Sequence, residues 1–212
     1  MVLYLLSSVV GVVVIVLLVV HLTKTGTNSP SGGSTPGTST SPTGAAAAPP
    51  NKYIFMAASK AGPYKLNMAG ASTYVEAAKL AEAPLAAEFK AKGAGEPGKH
   101  VVAMYELGTD TSTGDLKSAV FIGYDGTFNP AEVIKLEQAQ LVSTRMVNPG
   151  PHGGEMMCGY NRSSGSDASE CVWATTTTFG QVEFLVGGTP TKYLGASDVA
   201  LTIRDAVEIP VT

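Results

Sequence analysis

An apolar segment at the N-terminal end of the sequence constrains this chain most strongly. Residues 1–23 contain no Asp, Glu, Lys or Arg, and most residues from Val2 to Leu22 are Val, Leu or Ile. As an α-helix this segment reaches about 31 Å, close to the roughly 30 Å hydrocarbon core of a bilayer. A cleavable secretory signal needs a basic start, a shorter apolar run and a small-residue cleavage site, none of which is present. We therefore predict a transmembrane signal anchor over residues 1–22, with the lipid bilayer as its partner.

A low-complexity linker follows the predicted anchor. Of the 28 residues from Thr23 to Pro50, 22 are Ser, Thr, Pro or Gly, and only Lys24 is charged. Such a segment buries too little apolar surface to offset its conformational entropy, so residues 23–51 are predicted to be a disordered stalk. As a flexible coil it has a root-mean-square span of about 30 Å. A domain on this stalk stands clear of the lipid head groups.

The remaining residues, 52–212, are predicted to fold as one globular domain. Their number suits one domain with a hydrophobic core and is too small for two ordinary domains. They include 13 basic and 17 acidic residues, which gives a formal net charge of −4. Because the domain is mildly acidic and has no basic cluster, we expect neither nucleic acid as a partner nor electrostatic binding to anionic lipid.

The residue pattern of this domain predicts an α+β fold, with about three helices packed on an antiparallel or mixed sheet, as in an α/β/α sandwich. A capping box at Thr73 and Glu76 precedes apolar residues at helical spacing, and Gly93 ends this helix. Pro130 suits the first turn of a second helix. Ser197 is expected to cap a third helix. Short apolar runs between the helices predict the strands.

The two cysteines are candidates for a covalent link within the domain. Cys158 and Cys171 enclose 12 residues with a polar, glycine-containing middle, and two strands joined by such a loop would bring the sulfurs together. A metal site is the alternative, because His152, Glu155 and Cys158 fall at regular spacing and Cys171 would supply a fourth ligand. No CxxC or HxxxH pair occurs, so we favour the disulfide and predict no metal and no cofactor. Trp173 shares the strand face of Cys171 and is expected to pack beside the disulfide.

Pro, Gly and His are most concentrated in the segment Asn148–Gly159, which is the candidate surface site. The pair Gly153 and Gly154 lets the backbone approach a ligand closely, and His152 can act as an acid, a base or a contact. We favour a simpler interpretation, in which the segment is a tight connection between two strands and His152 is merely exposed. The catalytic motifs GxSxG, SxxK and HExxH are absent, so we predict no catalytic residue.

The stretches PGPHGGEMMCG and ECVWATTTTFGQVEF, on either side of the polar loop, carry a resemblance. They resemble a group of actinobacterial single-pass membrane-anchored or secreted proteins of unknown function, which have one span, a low-complexity linker and a domain with a CG...CxW disulfide segment. The resemblance implies extracytoplasmic placement and a bridge between Cys158 and Cys171. It implies no activity and no catalytic residue.

The functional prediction depends mainly on the expected location of the domain outside the membrane, because no catalytic motif was found. The composition of the linker and the oxidising compartment that a disulfide requires place the domain outside the membrane, whereas the charges that flank the span do not determine its direction. We predict a single-pass protein of the cell membrane with a non-catalytic binding, sensory or accessory domain, whose partner is an envelope protein or a glycan. The alternative is a hydrolase that acts on cell-wall material with carboxylates near the disulfide loop, such as Glu155, Asp167 or Glu170.

Overall fold

The computed structural model of the protein describes residues 52–161 and 168–211. The predicted anchor (1–22), the predicted linker (23–51) and Asp167 lie outside the described residues. Within the two described ranges, none of the helices combines the length and the apolarity that crossing a membrane requires. The described residues form a sheet-rich α+β fold with three helices, which confirms the predicted fold class for this part of the chain.

Every described strand pairing is antiparallel. In chain order the strands are β1 (Tyr53–Phe55), β2 (Lys60–Ala61), β3 (Tyr64–Leu66), β4 (Gly95–Thr109), β5 (Leu116–Phe128), β6 (Val142–Val147), β7 (Glu155–Asn161), β8 (Ala168–Ala174), β9 (Thr178–Val186), β10 (Thr189–Pro190) and β11 (Glu208–Pro210). The main sheet has the spatial order β2-β3-β4-β5-β9-β8-β7-β6, and β10 pairs with β9. Strands β1 and β11 pair with each other in a separate two-stranded sheet.

Three helices cover both faces of the main sheet: α1 (Met68–Lys92), α2 (Pro130–Gln140) and α3 (Ala196–Val207). Helix α1 contacts β4 and β5, and α2 contacts β6, β7 and β8. Both lie on one face, whereas α3 packs on the opposite face against β8 and β9. Because successive strand residues point to opposite faces, each side of the sheet supplies its own apolar layer. The described residues therefore form three layers.

Aromatic side chains dominate the apolar layer between the sheet and α3. Trp173 is fully buried there, in the same cluster as Cys158 and Cys171, as predicted. Its ring stacks on Phe121 with a centroid distance of 5.7 Å. Gly180 of the neighbouring strand makes room for the indole, since a Cβ at that position would lie 2.6 Å from the ring. The strand that carries Trp173 is thereby held close to β9 behind the disulfide.

Helix α1 begins earlier than the capping box predicted. Its N-cap is Asn67, whose Oδ1 accepts a hydrogen bond from the Gly70 N–H at 3.0 Å. The prediction that α1 begins after Thr73 is therefore wrong, because the stronger cap lies six residues upstream and the residues between the two positions continue the helix. The end of α1 is confirmed, since Gly93 adopts a left-handed conformation with φ of 69°.

Helix α3 also has a different cap from the one predicted. Gly195, with φ of 85°, is its N-cap, and no side chain bonds to the first N–H groups of the helix. Ser197 instead lies within the first turn and is buried. Its hydroxyl accepts a hydrogen bond from Arg145 of β6 at 3.2 Å. The prediction that Ser197 caps α3 is therefore wrong, and the serine joins the helix to the edge strand of the sheet.

Candidate functional site

A cleft of about 360 Å³ lies beside the N-terminus of α3, on the α3 face of the sheet. This volume lies within the range of small-molecule sites in proteins. The lining residues come from β6, β7, β8 and the segment that leads into α3: Ser143, Arg145, Cys158, Gly159, Tyr160, Ser169, Tyr193, Leu194, Gly195, Ala196 and Ser197. We call this site the α3 cleft.

Arg145 is the charged residue among those that line the α3 cleft. One of its terminal nitrogens, Nη2, donates a hydrogen bond to Ser197 Oγ at 3.2 Å. Among the described residues, no carboxylate lies within ion-pair distance of this guanidinium. A guanidinium carries five N–H donors, so most of the donor capacity of Arg145 is available to a ligand.

A second cation borders the α3 cleft. The Lys192 ammonium lies 4.5 Å from the centroid of the Tyr160 ring, which lines the cleft. Cation–π contacts of this kind place an ammonium over the negative face of an aromatic ring. The cleft thus has positive charge at two points, although residues 52–212 together carry a net negative charge.

Tyr193, which forms an aromatic wall of the cleft, is held in place by Ser169 and Phe184. Ser169 Oγ accepts a hydrogen bond from the Tyr193 N–H at 2.7 Å and donates one to the Tyr193 carbonyl at 3.3 Å. The Tyr193 ring stacks on Phe184, with a centroid distance of 5.0 Å and an interplanar angle of 5°. This wall is therefore preorganised, which lowers the entropic cost of binding a ligand.

Ser143 introduces backbone strain at the edge of the cleft. Its φ is 52°, and in the described ranges no other non-glycine residue has a positive φ. A non-glycine residue in the left-handed region costs of the order of 1 kcal/mol and persists where the surrounding structure imposes it. Here the strain coincides with a break in the β6–β7 register between Val142 and Arg145.

The predicted disulfide between Cys158 and Cys171 is confirmed. The two residues face each other in the register of β7 and β8, with their Cα atoms 4.1 Å apart, and Cys158 lines the α3 cleft. Because both sulfurs are joined to each other, the alternative metal site with His152 and Glu155 is wrong. Nowhere in the described ranges do three His, Cys, Asp or Glu side chains form a group suited to a metal ion.

The predicted surface site at His152 does not coincide with the α3 cleft. His152 lies in the β6–β7 connection, where its Nε2 is 3.1 Å from Asp205 Oδ1 and its Nδ1 is 3.7 Å from Glu208 Oε2. Its ring lies 5.0 Å from that of Tyr53. The expectation that His152 is merely exposed is wrong: its side chain is 12% exposed, because α3, β1 and β11 pack around it.

The two glycines beside His152 allow the β6–β7 connection to pack closely against α3 and the end of β8. Arg204 of α3 donates hydrogen bonds to the Gly153 carbonyl and the Pro149 carbonyl, each at 2.8 Å. A Cβ at Gly154 would lie 2.1 Å from the Ala174 carbonyl oxygen, so a larger residue does not fit there. The His152 contacts described above involve no Ser, Thr or Cys that would act as a nucleophile. This arrangement suits a structural connection between two strands.

The two described carboxylates of the predicted hydrolase site, Glu155 and Glu170, are not brought together. Asp167 lies outside the described residues. Glu155 and Glu170 lie on the face covered by α1 and α2, opposite the α3 cleft, and are separated by four positions along the β7–β8 register. Four positions along a strand correspond to about 13 Å, whereas the paired carboxyl groups of glycosidases lie about 5 to 9.5 Å apart.

A different group of carboxylates lies on that face, in which Glu137 and Glu170 are buried and Glu183 is half-buried. Glu170 of β8 faces Glu183 of β9, and Glu137 of α2 lies close enough to Glu170 for repulsion between their charges. Burial, which is the larger cause, and repulsion from the nearby Glu170 charge together raise the pKa of Glu137 and of Glu183 to about 8. Burial also raises the pKa of Glu170, whereas a hydrogen bond from Asn161 Nδ2 at 3.0 Å lowers it. Glu137 and Glu183 therefore favour the protonated form at neutral pH.

Comparisons with models of known families, with curated proteins and with solved structures found no match. The resemblance to actinobacterial envelope proteins has no family match behind it. The disulfide is the part of that resemblance which the structure confirms.

The sequence patterns did not identify the α3 cleft. Its lining residues lie in segments around Arg145, Tyr160, Ser169 and Tyr193, and each segment alone resembles an ordinary strand or turn. The available signal was weak: an arginine at the outer end of a predicted strand, and a Lys-Tyr pair just before the third helix. Only the folded sheet brings these positions together.

Proposed function

We propose that this chain is a single-pass protein of the cell membrane whose extracytoplasmic domain binds a ligand of the cell envelope in the α3 cleft, without catalysing a reaction. The observation that carries this proposal is the composition of the cleft. Among its described lining residues are a cation, three serines and two tyrosines, but no carboxylate and no histidine. Such a lining offers recognition without an acid–base pair.

The membrane part of the proposal rests on the sequence. Residues 1–22 have the length and apolarity of a span, and residues 23–51 have the composition of a stalk. Disulfides persist in oxidising compartments, so the bridge between Cys158 and Cys171 supports an extracytoplasmic domain. The resemblance to actinobacterial envelope proteins points to the same placement.

A hydrolase that acts on cell-wall material has less support. Glu155 and Glu170 lie far apart along their strands and on the other face of the sheet from the α3 cleft. His152 does lie beside Asp205, which is an arrangement that enzymes also use, but the pair borders the buried Arg204–Glu208 ion pair and not the cleft. We therefore propose a binding role.

Co-sedimentation of the full chain, in detergent micelles, with insoluble cell walls from the source organism tests this proposal. The variant Ala196→Phe places a ring in the α3 cleft, and Ala131→Phe makes the same change in the first turn of α2, where the residue is exposed. We expect the wild-type chain and Ala131→Phe to sediment with the walls and Ala196→Phe to lose at least about 90% of binding, which corresponds to about 1.4 kcal/mol.

Two results would contradict the proposed function. Undiminished sedimentation of a folded Ala196→Phe variant would place any binding outside the cleft. Soluble wall fragments that appear only in the presence of the full chain would indicate hydrolysis. Circular dichroism of both variants confirms that each is folded before binding is compared.

A further inference from the structure

The geometry of the α3 cleft points to a class of ligand: we infer that the cleft selects a carbohydrate that carries an oxyanion, either a carboxylate or a phosphate, and that Arg145 recognises this group. The inference rests on the proposed function and makes its ligand specific. It depends on three features of the cleft, which are its charge, the position of Arg145 and the polar and aromatic groups around it.

The charge of the cleft is opposite to that of the domain. Residues 52–212 carry a net charge of −4, yet Arg145 lines the cleft, Lys192 borders it and no described lining residue is acidic. An anionic ligand approaching elsewhere is repelled by the excess of carboxylates, whereas at the cleft it meets two cations. The local charge therefore favours an anion over a neutral or a cationic ligand.

Arg145 is held in a position that suits recognition of an oxyanion. Its Nη2 donates to Ser197 Oγ at 3.2 Å, which restrains the guanidinium beside the N-terminus of α3. Among the described residues it has no carboxylate to neutralise it. The planar guanidinium matches carboxylate and phosphate oxygens with two parallel hydrogen bonds. A restrained and unpaired arginine loses less entropy when it forms these bonds.

The N-terminus of α3 adds a weaker positive potential to that of the two cations. Gly195 caps the helix without a side chain, and Gly195, Ala196 and Ser197 all line the cleft. The first N–H groups of a helix have no partner within that helix and carry partial positive charge. They add to the preference that Arg145 and Lys192 establish.

The remaining lining groups suit a polyhydroxylated molecule. Ser143 and Ser197 supply hydroxyls, whereas the hydroxyl of Ser169 is bonded to the Tyr193 backbone, and Tyr160 and Tyr193 each combine an apolar ring face with a phenol. A sugar ring has the complementary surface, with C–H groups on its faces and hydroxyls around its edge. These lining groups can therefore pair with the hydroxyls of a sugar while the tyrosine rings contact its C–H faces.

The test measures affinity by titration calorimetry on the full chain in detergent micelles. The probes are trigalacturonate, which carries carboxylates, glucose 6-phosphate, which carries a phosphate, and galactotriose as the neutral match of the trimer. Arg145→Gln removes the positive charge. Arg145→Lys keeps the charge but loses the planar guanidinium that forms two parallel hydrogen bonds. Lys79→Gln on the exposed surface of α1 makes the same charge change on the other side of the sheet.

We expect at least one anionic probe to bind about tenfold or more tightly than galactotriose, and Arg145→Gln to weaken that binding by about tenfold or more. Arg145→Lys should lie between the wild type and Arg145→Gln, and Lys79→Gln should stay within about twofold of the wild type. The preference between the two anionic probes identifies the carboxylate or the phosphate as the natural group.

The inference is overturned if galactotriose binds as tightly as both anions, if Arg145→Gln binds like the wild type, or if no probe binds. In each case the proposed function would still hold if the wild-type chain sediments with cell walls and Ala196→Phe does not. Only the choice of ligand would then be wrong. If the wild-type chain does not bind cell walls, the proposed function itself is wrong.

Discussion

Glu183 of β9 lies directly opposite Glu170 of β8, on the sheet face that α1 and α2 cover. Glu170 is 6% exposed, and Glu137 of α2 extends the group. Two carboxylates in such positions do not both ionise at low cost, because burial and mutual repulsion penalise the charged forms. The stability of the domain is therefore expected to depend on pH through these carboxylates, which lie away from the α3 cleft.

We expect the free energy of unfolding to decrease as the pH rises from about 4.5 to about 8. In the folded state the pKa of Glu137 and of Glu183 is about 8, above the ordinary value of 4.5. The folded state therefore keeps protons in this window that the unfolded state releases, and stability that is fully present below about pH 4.5 is lost as the pH passes about 8. Urea unfolding at a series of pH values measures this slope, and a rise in stability across the window would contradict it.

Glu183→Gln isolates one member of the acidic group. The amide keeps the shape of the protonated acid and cannot ionise, so we expect the variant to be more stable than the wild type by about 2 kcal/mol at neutral pH and nearly equal to it below pH 4.5. Glu76→Gln on the exposed surface of α1 is the matched control and should change stability little. Equal effects of the two substitutions at neutral pH would argue against a half-buried, protonated Glu183.

The buried ion pair between Arg204 and Glu208 is expected to be essential for stability. Both side chains are fully buried, Arg204 Nε donates to Glu208 Oε2 at 2.6 Å, and Thr178 donates to the other carboxylate oxygen. Arg204→Met leaves the Glu208 charge buried without its partner, so we expect a loss of about 3 to 5 kcal/mol, and a smaller loss in the double variant Arg204→Met/Glu208→Leu. Urea unfolding measures both, and a loss below about 1 kcal/mol in the single variant would contradict the role of the pair.

His152 is expected to contribute to stability and not to ligand binding. Its contacts with Asp205, Glu208 and Tyr53 join the β6–β7 connection to α3, β11 and β1. His152→Gln should therefore lower the free energy of unfolding by about 1 kcal/mol and leave co-sedimentation with cell walls unchanged. A folded His152→Gln variant that no longer binds walls would show that His152 has a functional role.

The disulfide is expected to stabilise the domain by about 3 kcal/mol, because it closes a loop of 12 residues in the unfolded chain. The variant Cys158→Ala/Cys171→Ala should show this loss in urea unfolding. Thiol alkylation under denaturing, non-reducing conditions, followed by mass spectrometry, should label neither cysteine. Labelling of both cysteines before reduction would contradict the bridge.

Local sequence patterns predicted the features that depend on neighbouring residues. Gly93 ends α1 because a left-handed residue suits a helix end, and Pro130 begins α2 because it lacks the N–H that a first turn leaves unused. The position of Trp173 beside the disulfide followed from strand alternation alone. Such features need no knowledge of which strands become neighbours.

Features that depend on the order of strands in the sheet were not predictable in this way. Glu170 and Glu183 face each other only because β8 pairs with β9, and Arg145 reaches Ser197 only because α3 packs beside the β6 edge. Ser197 shows the difference most clearly: its type suggested a helix cap, whereas tertiary packing made it the partner of an arginine in the α3 cleft. Pairing across 52 residues leaves no trace in local periodicity.

Hydrogen–deuterium exchange of the full chain, with and without isolated cell walls, tests most directly whether the α3 cleft is the binding site. We predict slower exchange on wall binding at the amides of residues 193–197 and of strands β6 and β7 beside the cleft, and no change in the Ala196→Phe variant. Slower exchange confined to α1 and α2, or no change anywhere in the domain while the chain sediments with the walls, would contradict a ligand site in the α3 cleft.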